Sequence, residues 1–361
     1  MKKINTLLFL LAIILMGCSN EKELLIPFSN PEIEYWGRID TTRVDVAELY
    51  WSGSSIKINF EGKSIKALLK DASGDNYYNI IIDNDSISLL RPSTTKQYYP
   101  LASNLPKGKH SIEIFKRTEW DRGETNFYGF KIKNNGKLLP KSVPKKRKIE
   151  FYGNSITAGY AIEDTSGRDS PDSIYTNNYL SYAAITARHF NAKYHCICRS
   201  GIGITVGWIP QIMPEMYDRL IPTDSTSTWD FSLYTPDIVV INLFQNDSWL
   251  VNLPKNVEFK KRFGNKAPTE EYLIKAYQQF VSNLRNHYPK ATIICSLGSM
   301  DAAKEGSKWM EYIKTAVTNL NDKKIYTHFM PYIKSTVHPS IQDQQVMANS
   351  LIQFIDKNIE W

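Results

Sequence analysis

Between residues 140 and 148 the periodicity of the chain changes, and that change limits the architectures open to it. Over 32–137, short apolar runs alternate with polar residues, as in Ile56-Lys-Ile-Asn-Phe60, Tyr77-Tyr-Asn-Ile-Ile-Ile-Asp83 and His110-Ser-Ile-Glu-Ile-Phe115. Turn signals such as Ser52-Gly-Ser, Asp83-Asn-Asp and Asn134-Asn-Gly136 separate such runs. This spacing predicts an all-β, antiparallel jelly-roll sandwich. Beyond the Pro/Lys-rich break, strand candidates at 149–152, 193–199, 238–243, 292–297 and 325–329 alternate with helical stretches near 179–190, 270–287, 308–320 and the C-terminus. The helix after Thr269 places Leu273, Ala276, Tyr277, Phe280 and Leu284 on one face. Strand and helix in alternation predict an α/β domain, a mostly parallel sheet between helices. A length of 361 residues also exceeds what one core usually serves. The expected division is therefore a sandwich over 32–140, a linker over 141–148 and an α/β domain over 149–361.

At the N-terminus, Lys2 and Lys3 precede the apolar run Leu7-Leu-Phe-Leu-Leu-Ala-Ile-Ile-Leu-Met16 and then Gly17-Cys18. This is the layout of a secretory signal, and the run is too short to favour a spanning helix. Leu15-Met16-Gly17-Cys18 resembles a bacterial lipobox, in which the cysteine is lipidated and becomes the mature N-terminus. Ser19-Asn-Glu-Lys-Glu23 resembles the surface-export signals of Bacteroidetes lipoproteins. These resemblances imply a signal over 1–18, lipidation at Cys18, a tether over 19–31 and a lipoprotein on the periplasmic or surface face of an outer membrane. Cleavage by an ordinary signal peptidase is the alternative.

A formal charge of +7, two units of which are Lys2 and Lys3, is too small and too dispersed to imply nucleic acid. The basic run Lys145-Lys-Arg-Lys148 is read as a solvated linker. Cys196, Cys198 and Cys295 show no Cys-x-x-Cys or Cys/His ligand spacing, so they are read as small buried residues, with neither a disulfide framework nor a metal expected.

Chemistry gathers first at Ile149-Glu-Phe-Tyr-Gly-Asn-Ser-Ile-Thr-Ala-Gly-Tyr160, where a strand-like run ends in a serine. Open α/β sheets bind ligands at the carboxyl ends of their strands. Ser155 is a weak nucleophile by itself and requires a base and an oxyanion site. Of the six histidines, His110, His189, His195, His287 and His328 lie on or beside regular elements and are read as structural. His338 lies in the irregular Ser335-Thr-Val-His-Pro339, just before a capping box at Ser340-Ile-Gln-Asp343 that starts the last helix. Met347, Leu351, Phe354 and Ile355 would bury that helix on the sheet, and its positive dipole end disfavours imidazolium. Two loops after strands offer oxyanion donors: Arg199-Ser-Gly-Ile-Gly203, through Gly201 or Gly203, and Phe244-Gln-Asn-Asp247, through Asn246.

The order of these blocks, Gly-Asn-Ser-Ile-Thr at 153–157, Ser-Gly-Ile-Gly at 200–203, Asn-Asp at 246–247 and His-Pro at 338–339, resembles the SGNH (GDSL-type) hydrolases. With the β-rich half in front, including Trp51-Ser-Gly and Asn79-Ile-Ile-Ile-Asp83, the chain resembles the two-domain carbohydrate esterases of family two. That resemblance implies a flavodoxin-like SGNH domain behind a jelly roll, acting without a cofactor on O-acetyl groups of plant polysaccharides such as xylan and glucomannan. It makes Ser155 the nucleophile, His338 the base, and Asn246 with Gly203 or Gly201 the oxyanion donors, Gly203 being preferred. Trp249, just past Asn246, is the first candidate for a sugar-stacking wall, followed by Tyr160, Trp208 and Trp229.

Two departures carry consequences. Phe244 and Gln245 stand in the block where the family pattern is Gly-x, so a bulky side chain is expected to line the pocket. The aspartate expected three residues before the histidine is Ser335, which leaves the partner of His338 unassigned, with a backbone carbonyl as one solution. The alternative readings are a carbohydrate-binding surface lipoprotein whose SGNH domain is degenerate, or an esterase for another short-chain ester.

Overall fold

The structure is a computed structural model that describes residues 23–133 and 136–361. The expected signal segment with its candidate lipidation site Cys18, and Asn134 and Asn135, lie outside these residues.

The N-terminal part is a sandwich of two antiparallel sheets, each six-stranded. Alternation seen in the sequence becomes alternation in burial. In Ser55–Glu61 and Ile65–Asp71 the residues Ile56, Ile58, Phe60, Ile65, Ala67 and Leu69 point inward and meet Phe127 and Phe130 in one cluster. Gln97–Ala102 escapes a reading from sequence because it contains Pro100, which a strand tolerates at an edge. Among the described residues it pairs only with Ile65–Asp71, at the end of its sheet. Part of the expected tether is strand as well: Leu24–Pro27 pairs antiparallel with residues 129–132 of Thr125–Ile132, and Ile26 is buried in the sandwich core. Nor is the linker simply solvated, since Lys145 lies over the Trp36 ring at 4.6 Å and Arg147 over Trp361 at 4.7 Å.

In the C-terminal part, five strands lie in the order Lys193–Cys198, Lys148–Gly153, Ile238–Asn242, Thr292–Leu297, Ile325–Phe329, all parallel. The first strand of the domain is thus flanked by its second and third, the 2-1-3-4-5 order of a flavodoxin-like sheet. The unbroken apolar run at 238–242 follows from burial on both faces: Val239 and Ile241 join one core cluster, Ile238 and Val240 the other. Glu270–His287 and Lys308–Leu320 cover the first face, Tyr182–His189 and Ile341–Asn358 the second.

The two parts share these cores. Tyr50, Trp51 and Trp120 of the sandwich belong to one cluster, and Ile81 and Phe115 to the other. A fully buried ion pair, Arg38 to Glu150 at 3.3 Å, crosses the same boundary, and Arg38 also donates to the carbonyl of Arg219 at 3.0 Å.

Candidate active site

Gly153 is in register with Cys198 on one side and Asn242 on the other, so Ser155, the 199–203 loop and Asn246 leave neighbouring strand ends on one rim. A Cβ at Gly153 would collide with Thr157, which explains the glycine before the turn. Asn154 caps the short helix Ser155–Ala158 by accepting the Ile156 N–H at 3.0 Å, and Gly159 closes it in the left-handed conformation with φ 72°. Ser155 is thereby the first residue of a tight turn, and its own N–H donates to no acceptor among the described residues.

His338 is mounted as the sequence suggested. Ser340 and Asp343 form the capping box of Ile341–Asn358, and the fully buried Met347, Leu351 and Ile355 seat one face of that helix on the sheet. The His338 Nε2 lies 2.8 Å from Ser155 Oγ. The Tyr160 ring packs 4.9 Å from the imidazole.

The unassigned partner is Asp169. Its Oδ2 lies 2.9 Å from His338 Nδ1, and its Oδ1 accepts the backbone N–H of His338 at 2.9 Å. Burial pushes the Asp169 carboxyl up, but the hydrogen bonds and charge of His338 outweigh it and hold it below its ordinary value. Asp169 adopts φ 55°, a conformation that aspartate tolerates better than most side chains. The neighbouring Asp164 carboxylate accepts Ser166 N–H and Ser170 N–H, each at 2.8 Å, and so folds the loop around it. Nothing in Thr165-Ser-Gly-Arg-Asp-Ser170 has periodicity, so its only sequence signal was an aspartate in a polar loop. Ser335, where the aspartate was sought, is turned into a local bend, with Oγ accepting the Val337 N–H at 3.1 Å.

On the oxyanion side, Asn246 Nδ2 donates to the Ile202 carbonyl at 2.7 Å and retains a second amide hydrogen. Asp247, fully buried, accepts Ile204 N–H at 3.0 Å, Thr205 N–H at 2.6 Å and Val206 N–H at 3.2 Å, which fastens the glycine loop to the helix Gln245–Leu250. Burial pushes the Asp247 carboxyl up despite these donors. Neither Gly201 nor Gly203 donates its N–H to an acceptor among the described residues. Gly203 is buried, and a Cβ there would strike the Val206 carbonyl, whereas Gly201 is half-exposed with φ +81°. In a trans peptide the Gly203 N–H also points opposite to the Ile202 carbonyl on which Asn246 sits. These contacts favour Gly201 over Gly203.

Phe244 does not line a pocket. With φ 84° its side chain is turned into the core, fully buried against Tyr277 at 4.8 Å and Trp309 at 5.0 Å. Gln245 is also buried and donates to Asp301 at 2.8 Å. Trp249 lies one helical turn past Asn246, on the same face, with its Nε1 donating to the other Asp301 oxygen at 2.8 Å. Trp208 is 48% exposed beside Gly201, whose carbonyl accepts the Trp208 N–H at 2.7 Å. Trp229 is remote from this rim, buried against His195 and Arg38.

A doubly covered 2-1-3-4-5 sheet, with a serine, a loop glycine, an asparagine and a histidine at the carboxyl ends of its strands, defines an SGNH-type hydrolase. The matching model for the sandwich is the carbohydrate esterase 2 N-terminal domain, over residues 35–141. A solved family two carbohydrate esterase from Clostridium thermocellum, in complex with cellohexaose, is 34% identical, with a TM-score of 0.79 over 90% of this chain and 98% of that one. The chain therefore belongs to the family two carbohydrate esterases. The cellulase/esterase CelE of Acetivibrio thermocellus is 35% identical over 343 residues, and the chain spans only 40% of its length. An acetylxylan esterase / glucomannan deacetylase of Cellvibrio japonicus is 24% identical over 360 residues, 96% of each chain.

Proposed function

We propose that this protein is a serine esterase that removes O-acetyl groups from plant polysaccharides or their oligosaccharides, with xylan and glucomannan as the first candidates. The observation that carries the reading is the continuous chain of contacts from Ser155 Oγ through the His338 imidazole to the Asp169 carboxylate. Family membership supplies the substrate class.

Asp169 accepts the hydrogen on Nδ1 and so leaves the Nε2 lone pair facing Ser155. Ser155 Oγ attacks the acetyl carbonyl carbon while its proton passes to Nε2. The N–H groups of Ser155 and Gly201, with the remaining amide hydrogen of Asn246, receive the oxyanion. The C–O bond to the sugar breaks, the sugar oxygen takes the proton from Nε2, and acetyl-Ser155 remains. Water then attacks, giving its proton to Nε2, and Ser155 leaves as a hydroxyl with the release of acetate. Trp249, held by Asp301, and Trp208, beside Gly201, are the aromatic faces offered to the glycan. The intact contact chain from serine to carboxylate supports catalysis over binding alone.

The leader extends this to place: Lys2, Lys3, the apolar run 7–16 and Gly17-Cys18 support export and lipidation at Cys18, with the enzyme tethered to an outer membrane by that lipid alone. Acetate release from acetylated xylan and glucomannan, with 4-nitrophenyl acetate and a longer-chain ester alongside, tests the activity. Release that disappears in Ser155→Ala, with short acyl chains preferred, is the expected result; none from a folded wild-type protein would return the reading to carbohydrate binding.

A further inference from the structure

Both loops that complete the site are held by the sandwich. Residues 117–122, between the sandwich strands Lys109–Lys116 and Thr125–Ile132, run along the rim of the parallel sheet. Glu119 is 4% exposed; its Oε1 accepts the Ser200 hydroxyl and its Oε2 the Ser200 N–H, both at 2.5 Å. Ser200 is joined directly to Gly201. Two arginines of the same segment hold the other loop. Arg117 donates to the Ile174 carbonyl at 2.7 Å and Arg122 to the Pro171 carbonyl at 3.1 Å, which brackets the turn just beyond Asp169.

We propose that the sandwich segment 117–122 is a positioning element of the hydrolytic site, in which Glu119 fixes the oxyanion loop through Ser200 while Arg117 and Arg122 fix the loop that carries Asp169. The proposal rests on the esterase reading and gives the β-domain a role in the chemistry. The physical reason is precision. An oxyanion donor contributes only when it already points at the place where charge develops, and a displacement near 1 Å can cost on the order of a hundredfold in rate. Asp247 anchors the far side of this loop at 204–206 and Asn246 holds the Ile202 carbonyl, which leaves the half-exposed Gly201 to be fixed from its other side. A buried carboxylate that accepts both donors of Ser200 does this, because any rotation of the Ser200 peptide would break two charge-assisted hydrogen bonds and leave the carboxylate, among the described residues, only its longer contact with Arg199 Nη1 at 3.4 Å.

Glu119→Gln is the first test: it removes the charge from both contacts, leaving one neutral acceptor for the Ser200 N–H and an amide donor that the Ser200 hydroxyl must turn round to accept. The expected outcome is a roughly ten- to hundredfold lower kcat on 4-nitrophenyl acetate with KM within about threefold, because the oxyanion forms only in the transition state. Affinity for methylboronic acid, which forms a tetrahedral adduct on Ser155, should fall in parallel with kcat. Ser200→Ala removes one of the two contacts and should lose less, about three- to tenfold. The double variant should be no slower than Glu119→Gln alone, since both act through one brace. A folded Glu119→Gln with wild-type kcat, or losses that multiply in the double variant, would overturn the proposal. If Glu119→Gln does not fold, Ser200→Ala decides it, and unchanged kcat there overturns it. An inactive wild-type protein is a distinct outcome, which removes the esterase reading and this proposal together.

Discussion

Asp169 clamps His338 at two points, the ring Nδ1 at 2.9 Å and the backbone N–H at 2.9 Å. One carboxylate thus sets both the path of the chain before the last helix and the orientation of the imidazole. A backbone carbonyl in that place would orient the ring but carry no full charge to stabilise the imidazolium formed during turnover.

Asp169→Asn should therefore lower kcat by roughly 10² to 10⁴, the range spanned when a charged partner of a catalytic histidine is neutralised. Ser335→Asp should not rescue it, because position 335 lies in a bend closed on Val337. Steady-state kinetics on 4-nitrophenyl acetate check both statements. Because Asp169 is held below its ordinary value, it stays ionised through the mildly acidic range, and loss of activity by its protonation belongs only at lower pH. An NMR titration of the Asp169 carboxyl carbon should place its protonation below that of an exposed aspartate.

Phe244 sets two effects against each other. Its left-handed backbone costs a non-glycine residue about 1–2 kcal/mol, while emptying a buried phenylalanine site costs about 3–5 kcal/mol. Burial wins, so Phe244→Gly should destabilise the protein by about 1–4 kcal/mol net in urea unfolding. Since the ring points away from the rim, kcat of the folded fraction should change by no more than about threefold.

Glu150 links the domain boundary to pH. Burial pushes its carboxyl up, yet the Arg38 charge together with His195 and a Tyr288 hydrogen bond outweighs this and brings it down to about 2. Its unfolded value is near 4.3, so ionisation contributes stability that is present above that value and lost as pH falls towards about 2. Thermal unfolding of Glu150→Gln should lack part of the drop in Tm that the wild type shows across that window. Arg38→Met should be worse at neutral pH, losing about 3–5 kcal/mol, because it strands the carboxylate in the interior.

Trp208 and Trp249 should separate sugar binding from ester chemistry. Truncating either to alanine should raise KM for acetylated xylan by roughly tenfold while leaving turnover of 4-nitrophenyl acetate within about twofold, the signature of lost uniform binding. Asp301→Asn weakens the hold on the Trp249 ring and should give a smaller change in the same direction. Equal losses on both substrates would place the tryptophans in support of the fold instead.

Much of this protein is legible in local pattern. Four of the five parallel strands are buried along nearly their whole length, the half-buried edge strand Ile325–Phe329 being the exception, and 270–287, 292–297, 308–320 and 325–329 coincide with the observed elements. Ser155, Asn246 and His338 stand out because each follows or precedes a regular element whose end is written in glycines, caps and turn residues. Other features required the folded chain. The sandwich strand Gln97–Ala102 is hidden by Pro100 and exists because an edge position forgives it. Phe244 points inward because of a backbone angle that its sequence context does not dictate. Asp169 reaches His338 across 169 residues of chain, from a loop with no periodicity that contacts of the sandwich hold in place. A nearest-neighbour signal records where a strand or helix begins and ends; which carboxylate meets which imidazole depends on long-range packing, and only the assembled domains settle it.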